Sequence, residues 1–152
     1  MQKTFKLPTA IFDSIPKAAD YLRNNPHVIF AYLFGSLARG KPVPLSDADI
    51  AVFLTEDATF PKAKLEILDC LVEILETDEI DLVILNTASL PLQARIIRYK
   101  KTLVDKDPFL RHRFESLILR QYADFSIKEM RIFERRYFGD RQSPHSEKSL
   151  RA

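Results

Sequence analysis

Three acidic residues stand where apolar runs begin. Asp47 and Asp49 open "DADIAVFL", residues 47–54, and Asp81 precedes "LVIL", residues 82–85. In an extended chain, side chains alternate between faces. Asp47, Asp49, Ala51 and Phe53 then share one face, while Ala48, Ile50, Val52 and Leu54 share the other, which is wholly apolar. Two carboxylates that close repel and raise each other's pKa unless a positive charge lies between them. A hard divalent cation such as Mg²⁺ takes oxygen ligands of this kind. If the strand of Asp81 lies beside the first, three carboxylates meet. Such a set suits two metal ions about 4 Å apart, the arrangement used for in-line phosphoryl or nucleotidyl transfer.

A second group of residues precedes the acids. Gly35 and Ser36 follow the apolar run "HVIFAYLF", residues 27–34, and Arg39 comes three positions later. Glycine permits a turn that other residues resist. Ser36 can offer its hydroxyl and its amide to an anion at the start of a short helix "SLAR", and Arg39 adds a permanent cation beside it. Taken singly, an Asp-x-Asp is a turn or cap, a Gly-Ser is a loop and Asp81 is a surface acid. Together they are more specific, because each sits at the edge of a predicted strand.

The elements that must hold these residues follow from periodicity and punctuation. "SIPKAADYLRNN", residues 14–25, reads as a helix with Ser14 as cap and Pro16 in its first turn. Residues 27–34, 47–54 and 79–85 are rich in β-branched and aromatic side chains and read as strands. Between them, residues 60–77 place Leu65, Leu68, Leu71, Val72 and Leu75 at helical spacing. "SLPLQARIIRYKK" reads as a helix capped by Ser89, and "TLVD", residues 102–105, as a short edge strand. Pro108 opens a long helix to about Phe138. The link between the first two strands fits either antiparallel neighbours or a brief helical turn. The expected fold is α/β (α+β): a small mixed sheet with helices packed on it and a long C-terminal helix. Residues 1–138 form one domain, with the last helix from about 108, and residues 139–152 form a polar tail expected to be disordered.

Bulk properties exclude several classes. A chain of 152 residues suits one domain. With 23 Lys plus Arg against 21 Asp plus Glu, the net charge is +2, too balanced for nucleic-acid binding by bulk electrostatics. No apolar run approaches the roughly 18 residues of a membrane span, and the N-terminus lacks a signal-peptide core. The single cysteine, Cys70, makes no intramolecular disulfide and reads as a small apolar residue in a reducing compartment. A cytoplasmic location is expected. His27, His112 and His145 form no ligand spacing and read as structural or surface residues.

"GSLARGKPVPLSDADIAV" resembles the signature of the DNA polymerase β-type nucleotidyltransferases, in which Gly-Ser, ten residues and Asp-x-Asp follow one another. "GSLARG", "SDADI" and "EIDLVIL" are most similar to its minimal nucleotidyltransferase (MNT) branch, and "RFESLILRQYADF", residues 113–125, is similar to that branch's last helix. The Pro-rich "KPVPLS" leaves the motif spacing intact. MNT proteins are usually encoded beside HEPN-domain ribonucleases, as antitoxin and toxin. The resemblance therefore implies transfer of AMP from ATP onto a tyrosine of a HEPN toxin, which is thereby silenced, with two Mg²⁺ ions as cofactors. It implies that Gly35 and Ser36 hold the β- and γ-phosphates and that Asp47 and Asp49 bind both metals. Asp81 would bind the catalytic metal and help deprotonate the attacking hydroxyl. Arg39 would contact phosphate or brace the loop.

An acceptor must also be recognised. The last helix carries two apolar stripes, Phe114, Leu117, Ile118 and Phe125 in one and Leu119, Tyr122, Phe133 and Tyr137 in the other. One stripe suffices for packing on the domain, and the second is available for a partner chain or for the protein's own core. The expected partners are a HEPN toxin and ATP, with no membrane and no direct nucleic acid. The competing readings are an antitoxin that neutralises by contact alone, and a nucleotidyltransferase acting on a small molecule such as an aminoglycoside.

Overall fold

The computed structural model describes the backbone of residues 11–40 and 48–151, and side chains as far as residue 136. Its strands are β1 (Val28–Phe34), β2 (Ala48–Leu54), β3 (Ile80–Ile84) and β4 (Lys101–Asp105). They form one mixed sheet in the order β3-β2-β1-β4, so "TLVD" is indeed an edge strand. β1 runs antiparallel to both β2 and β4, and β2 runs parallel to β3. The helices are α1 (Ile11–Asn24), α2 (Gly35–Ala38), α3 (Phe60–Leu75), α4 (Leu90–Tyr99) and α5 (Pro108–Arg151). The two readings of the link between β1 and β2 both apply: the strands are antiparallel neighbours, and the one-turn helix α2 lies between them.

Two apolar layers sandwich the sheet. On one face Ala48, Ile50, Val52 and Leu54 of β2 are each fully buried, against Ala18 and Leu22 of α1 and Ile67, Leu71 and Leu75 of α3. The other face carries Phe30, Tyr32, Ala51 and Leu85 beneath Ala94, Ile96 and Ile97 of α4 and Ile118 of α5. Each fully buried aliphatic side chain contributes roughly 1.5–3 kcal/mol. The face that bears Asp49 is thus not open along its length. Helices α4 and α5 pack over its middle, at Phe30, Tyr32 and Ala51, while Asp49 at the start of β2 is half-buried.

Three differences from the sequence reading have physical causes. α1 begins at Ile11 rather than Ser14 and carries Pro16 inside it, because Ile11 is buried with Ala18 and Leu22 at helical spacing. α5 is helical to Arg151, across the segment assigned to a polar tail, although side chains from residue 137 on lie outside the described residues. The two stripes of α5 are also divided differently. Leu110, Phe114, Ile118 and Tyr122, four apart, pack on the domain, whereas Leu117, Leu119, Phe125 and Phe133 are exposed. Tyr122 therefore belongs with the packing residues, while Tyr137 lies outside those described. Past Tyr122, every described residue of α5 is exposed.

Where α5 meets the sheet, charge accompanies apolar contact. The Tyr32 hydroxyl donates to Glu115 at 2.5 Å. Lys100 reaches the same carboxylate at 3.1 Å, and Arg111 bridges Glu115 at 3.2 Å and Asp105 at 2.9 Å. Burial alone would raise the Glu115 carboxyl, but the hydrogen bonds from Tyr32 and Lys100 and the nearby charges hold it below the usual carboxylate range. A depressed carboxyl stabilises the fold above its unfolded pKa of about 4.3, and the gain is lost as pH falls through the lower folded value. Glu115→Gln should cost on the order of 2 kcal/mol at pH 7, roughly 4–8 °C in melting temperature for a domain of this size. The gap between variant and parent should narrow below about pH 4.3. Melting curves from pH 7 to pH 3 check this, and a gap that stays constant would show that the charge of Glu115 is not what holds α5. Among the described residues no helix is long and apolar enough to cross a membrane.

Candidate active site

The open end of the β2 face is built by three elements. β1 hands over to α2 at Phe34, which pairs with Asp49 across the sheet. Gly35 then turns at φ +73°, a left-handed conformation that suits glycine. The turn brings backbone against carboxylate: a Cβ added to Gly35 would lie 2.0 Å from Asp49 Oδ2. On the other side of β2, Asp49 is in register with Asp81 of the parallel strand β3. Neighbouring strands lie about 4.8 Å apart, and residues in register share a face, so the two carboxylates are adjacent. Asp49 is half-buried and Asp81 exposed. Asp47 lies outside the described residues.

Around this pair is a cleft of about 230 Å³ lined by Gly35, Arg39, Asp49, Asp81, Arg95 and Tyr99. Ser36 sits at its edge in α2. Its Oγ is buried and, among the described residues, has no hydrogen-bond partner. A buried hydroxyl left in that state costs about 1–3 kcal/mol, which an anion accepting its hydrogen bond would recover. The α2 amides carry no side-chain cap either. The Arg39 guanidinium stands 5.3 Å from the centroid of the Tyr99 ring, within cation–π range.

Sequence reasoning missed Arg95 and Tyr99. The four-residue spacing puts both on one face of α4, opposite the buried Gln93, Ala94, Ile96 and Ile97. The sequence gives neither residue a role, because nothing local says that α4 crosses the mouth of β2. Two polar clamps make it do so. Asn86 brackets Leu54 with hydrogen bonds of 2.8 and 2.9 Å to its N–H and C=O. Gln93, the buried polar residue of α4, donates to the Leu85 carbonyl at 2.8 Å.

Among the described residues no three His, Cys, Asp or Glu side chains converge as metal ligands. Asp49 and Asp81 form a pair of hard oxygen donors, and with Gly35 packed on one of them and an anion-ready hydroxyl beside it, the donor chemistry fits Mg²⁺ rather than a soft metal.

The polymerase β nucleotidyltransferase model matches residues 16–109, from α1 into the start of α5. The chain belongs to the polymerase β nucleotidyltransferase family. Solved structures of similar fold in this family include MNT antitoxins bound to HEPN toxins. A MntA–HpeT toxin–antitoxin complex with two Asp-to-Glu substitutions is 26% identical, with a TM-score of 0.65 over 80% of this chain and 94% of that one. A toxin–antitoxin structure with AMP-PNP is 27% identical, with a TM-score of 0.65 over the same shares. A tri-AMPylated Shewanella oneidensis HEPN toxin in complex with MNT antitoxin is 26% identical, with a TM-score of 0.64 over 82% of this chain and 96% of that one. No curated protein matches the sequence. The α/β fold expected for a nucleotidyltransferase is therefore the one found.

Proposed function

We propose that this protein is an MNT-type antitoxin that transfers AMP from ATP onto a tyrosine of a cognate HEPN ribonuclease toxin. The observation that carries the reading is the in-register pair Asp49–Asp81, with Gly35 packed against Asp49. The similar complexes add support: one holds an ATP analogue and another a tri-AMPylated toxin. Asp49 and Asp81, with Asp47, would hold Mg²⁺, which supplies charge neutralisation and polarises the reacting phosphoryl group. Gly35 and Ser36 receive the phosphate tail, and Arg39 adds positive charge beside it. The tyrosine oxygen attacks the α-phosphorus of ATP, forming a new O–P bond. The bond from that phosphorus to the oxygen bridging to the β-phosphate breaks, and pyrophosphate leaves. The tyrosine proton passes to the Asp81 carboxylate, which is exposed and able to pass it to water.

An antitoxin acting by contact alone would have no use for two in-register acids beside a buried Ser36 hydroxyl that has no partner among the described residues. Incubating the protein with its HEPN partner, radiolabelled ATP and Mg²⁺ separates the readings. The expected result is one or more AMP increments on the toxin by mass and loss of its ribonuclease activity. Inhibition of the toxin with no added mass would leave the contact-only reading standing. Modification of an aminoglycoside but not of the toxin would favour the small-molecule one.

The partner is held, in this reading, by the part of α5 that leaves the domain. Leu119 and Phe133 are 40% and 50% exposed, a use of large apolar side chains that suits a partner chain. Placing charge at such contacts should cost about 2 kcal/mol or more of docking, roughly thirtyfold in affinity. Leu119→Asp with Phe133→Asp should therefore slow toxin modification at limiting toxin by about that factor and leave ATP binding unchanged. Normal modification by the folded variant would remove α5 from the docking surface.

A further inference from the structure

As the described residues bound it, the carboxylate cleft is small for a whole nucleoside triphosphate. At about 230 Å³ it falls below the roughly 300–1,000 Å³ of sites that enclose drug-sized ligands. A larger groove of about 590 Å³ adjoins it, lined by Ser89, Leu92, Arg95, Arg98, Tyr99 and Tyr122. Arg95 and Tyr99 line both spaces, so the two are neighbours that share a wall. Building on the nucleotidyltransferase reading above, we propose that this groove between α4 and α5 seats the nucleoside end of the nucleotide, with Tyr99, Tyr122 and Arg98 against the base and ribose and Arg95, which also lines the cleft, toward the phosphates.

The lining has the chemistry of such a ligand. Among the described residues it presents two guanidiniums, two phenol rings and no carboxylate. Aromatic faces stack on any base, and guanidiniums bind phosphate oxygens and stack as well. Tyr99 is half-exposed and is held from the cleft side by Arg39 at 5.3 Å, so its ring is braced rather than loose. Tyr122 packs on the second core layer, and its ring stacks with Phe125 at 5.9 Å. An acceptor peptide fits the groove less well. Its walls are two helices, whose backbone groups bond within themselves, and an extended peptide would find few partners for its own N–H and C=O groups. A flat base with an anion at one end makes no such demand.

Arg98 and Tyr122 line the groove and not the cleft, which makes them the clean test. The full-length protein with Arg98→Ala, and separately with Tyr122→Leu, is titrated with ATP and with inorganic tripolyphosphate in the presence of Mg²⁺, and each variant is melted to check its fold. Both variants should bind ATP on the order of tenfold more weakly and tripolyphosphate within about twofold of the parent, because the triphosphate site is untouched. Arg98 is exposed, so its variant reports even if Tyr122→Leu loosens α5. Unchanged ATP affinity with a raised KM for the toxin would make the groove an acceptor surface and overturn the proposal. An equal loss for ATP and tripolyphosphate would overturn it too, by showing damage to the cleft. A parent protein that binds neither ligand would sink the nucleotidyltransferase reading itself, and this proposal with it.

Discussion

Asp49→Asn, alone or together with Asp47→Asn, is expected to lower AMP transfer by about three orders of magnitude or more, equivalent to roughly 4 kcal/mol of transition-state stabilisation. The change keeps the shape of the side chain and removes one negative charge from the pair that Asp49 forms with Asp81. A carboxamide is a poor ligand for a hard dication compared with a carboxylate. The fold should not suffer. Asp49 is half-buried at the start of β2, and its strand neighbours Ala48 and Ile50 stay fully buried on the opposite face. Thermal melting should therefore be within a few degrees of the parent while label transfer from ATP to the toxin disappears. Asp81→Asn should act in the same direction and add proton-transfer loss, visible as a steeper dependence of the residual rate on pH. Transfer within tenfold of the parent in folded Asp49→Asn would remove this carboxylate from the reaction.

How far the sequence could be read depended on whether a feature was local. The alternation of β2 is local: every second residue from Ala48 is apolar, and all four are buried on one face. The positions of Asp49 and Asp81 follow for the same reason, since each lies at the start of a strand and their register follows once the strands are neighbours. What lies over the acid face is not local. Ala51 and Phe53 looked like mere companions of the acids, yet they lie under α4 and α5, because the face is shared between chemistry at one end and core along the rest. Arg95 and Tyr99 could not be assigned to the cleft, since their place depends on the buried Gln93 clamp and on the crossing of α4 past α2. The stripes of α5 failed through rotation: Phe114, Ile118 and Tyr122 form one row along the helix, but apolar residues surround that row, and only the sheet decides which row it meets.

Two glycines then allow a test that separates backbone strain from site geometry. Gly35 and Gly40 have nearly the same conformation, φ +73° and +72°, so an alanine at either position bears a similar left-handed penalty of about 1–2 kcal/mol. Their surroundings differ. Among the described residues a Cβ at Gly40 would meet nothing within 4 Å, whereas one at Gly35 would lie 2.0 Å from Asp49 Oδ2 and 2.9 Å from its Cγ. For Gly35→Ala to fold, the carboxylate must retreat by more than 1 Å to reach ordinary contact distance, or the turn carrying Ser36 must lift away from β2. Either movement separates the phosphate-facing turn from the acid pair. Misplacement by about 1 Å costs on the order of a hundredfold in rate where reacting groups must be aligned. Gly35→Ala should accordingly lose about a hundredfold or more in AMP transfer beyond its loss of stability, and Gly40→Ala should lose stability alone, with transfer within a few-fold of the parent. Melting temperature and transfer rate measured side by side on the two variants decide it. Equal transfer rates would mean that the close packing of Gly35 on Asp49 does nothing for the reaction, and that the glycine is there only for its turn.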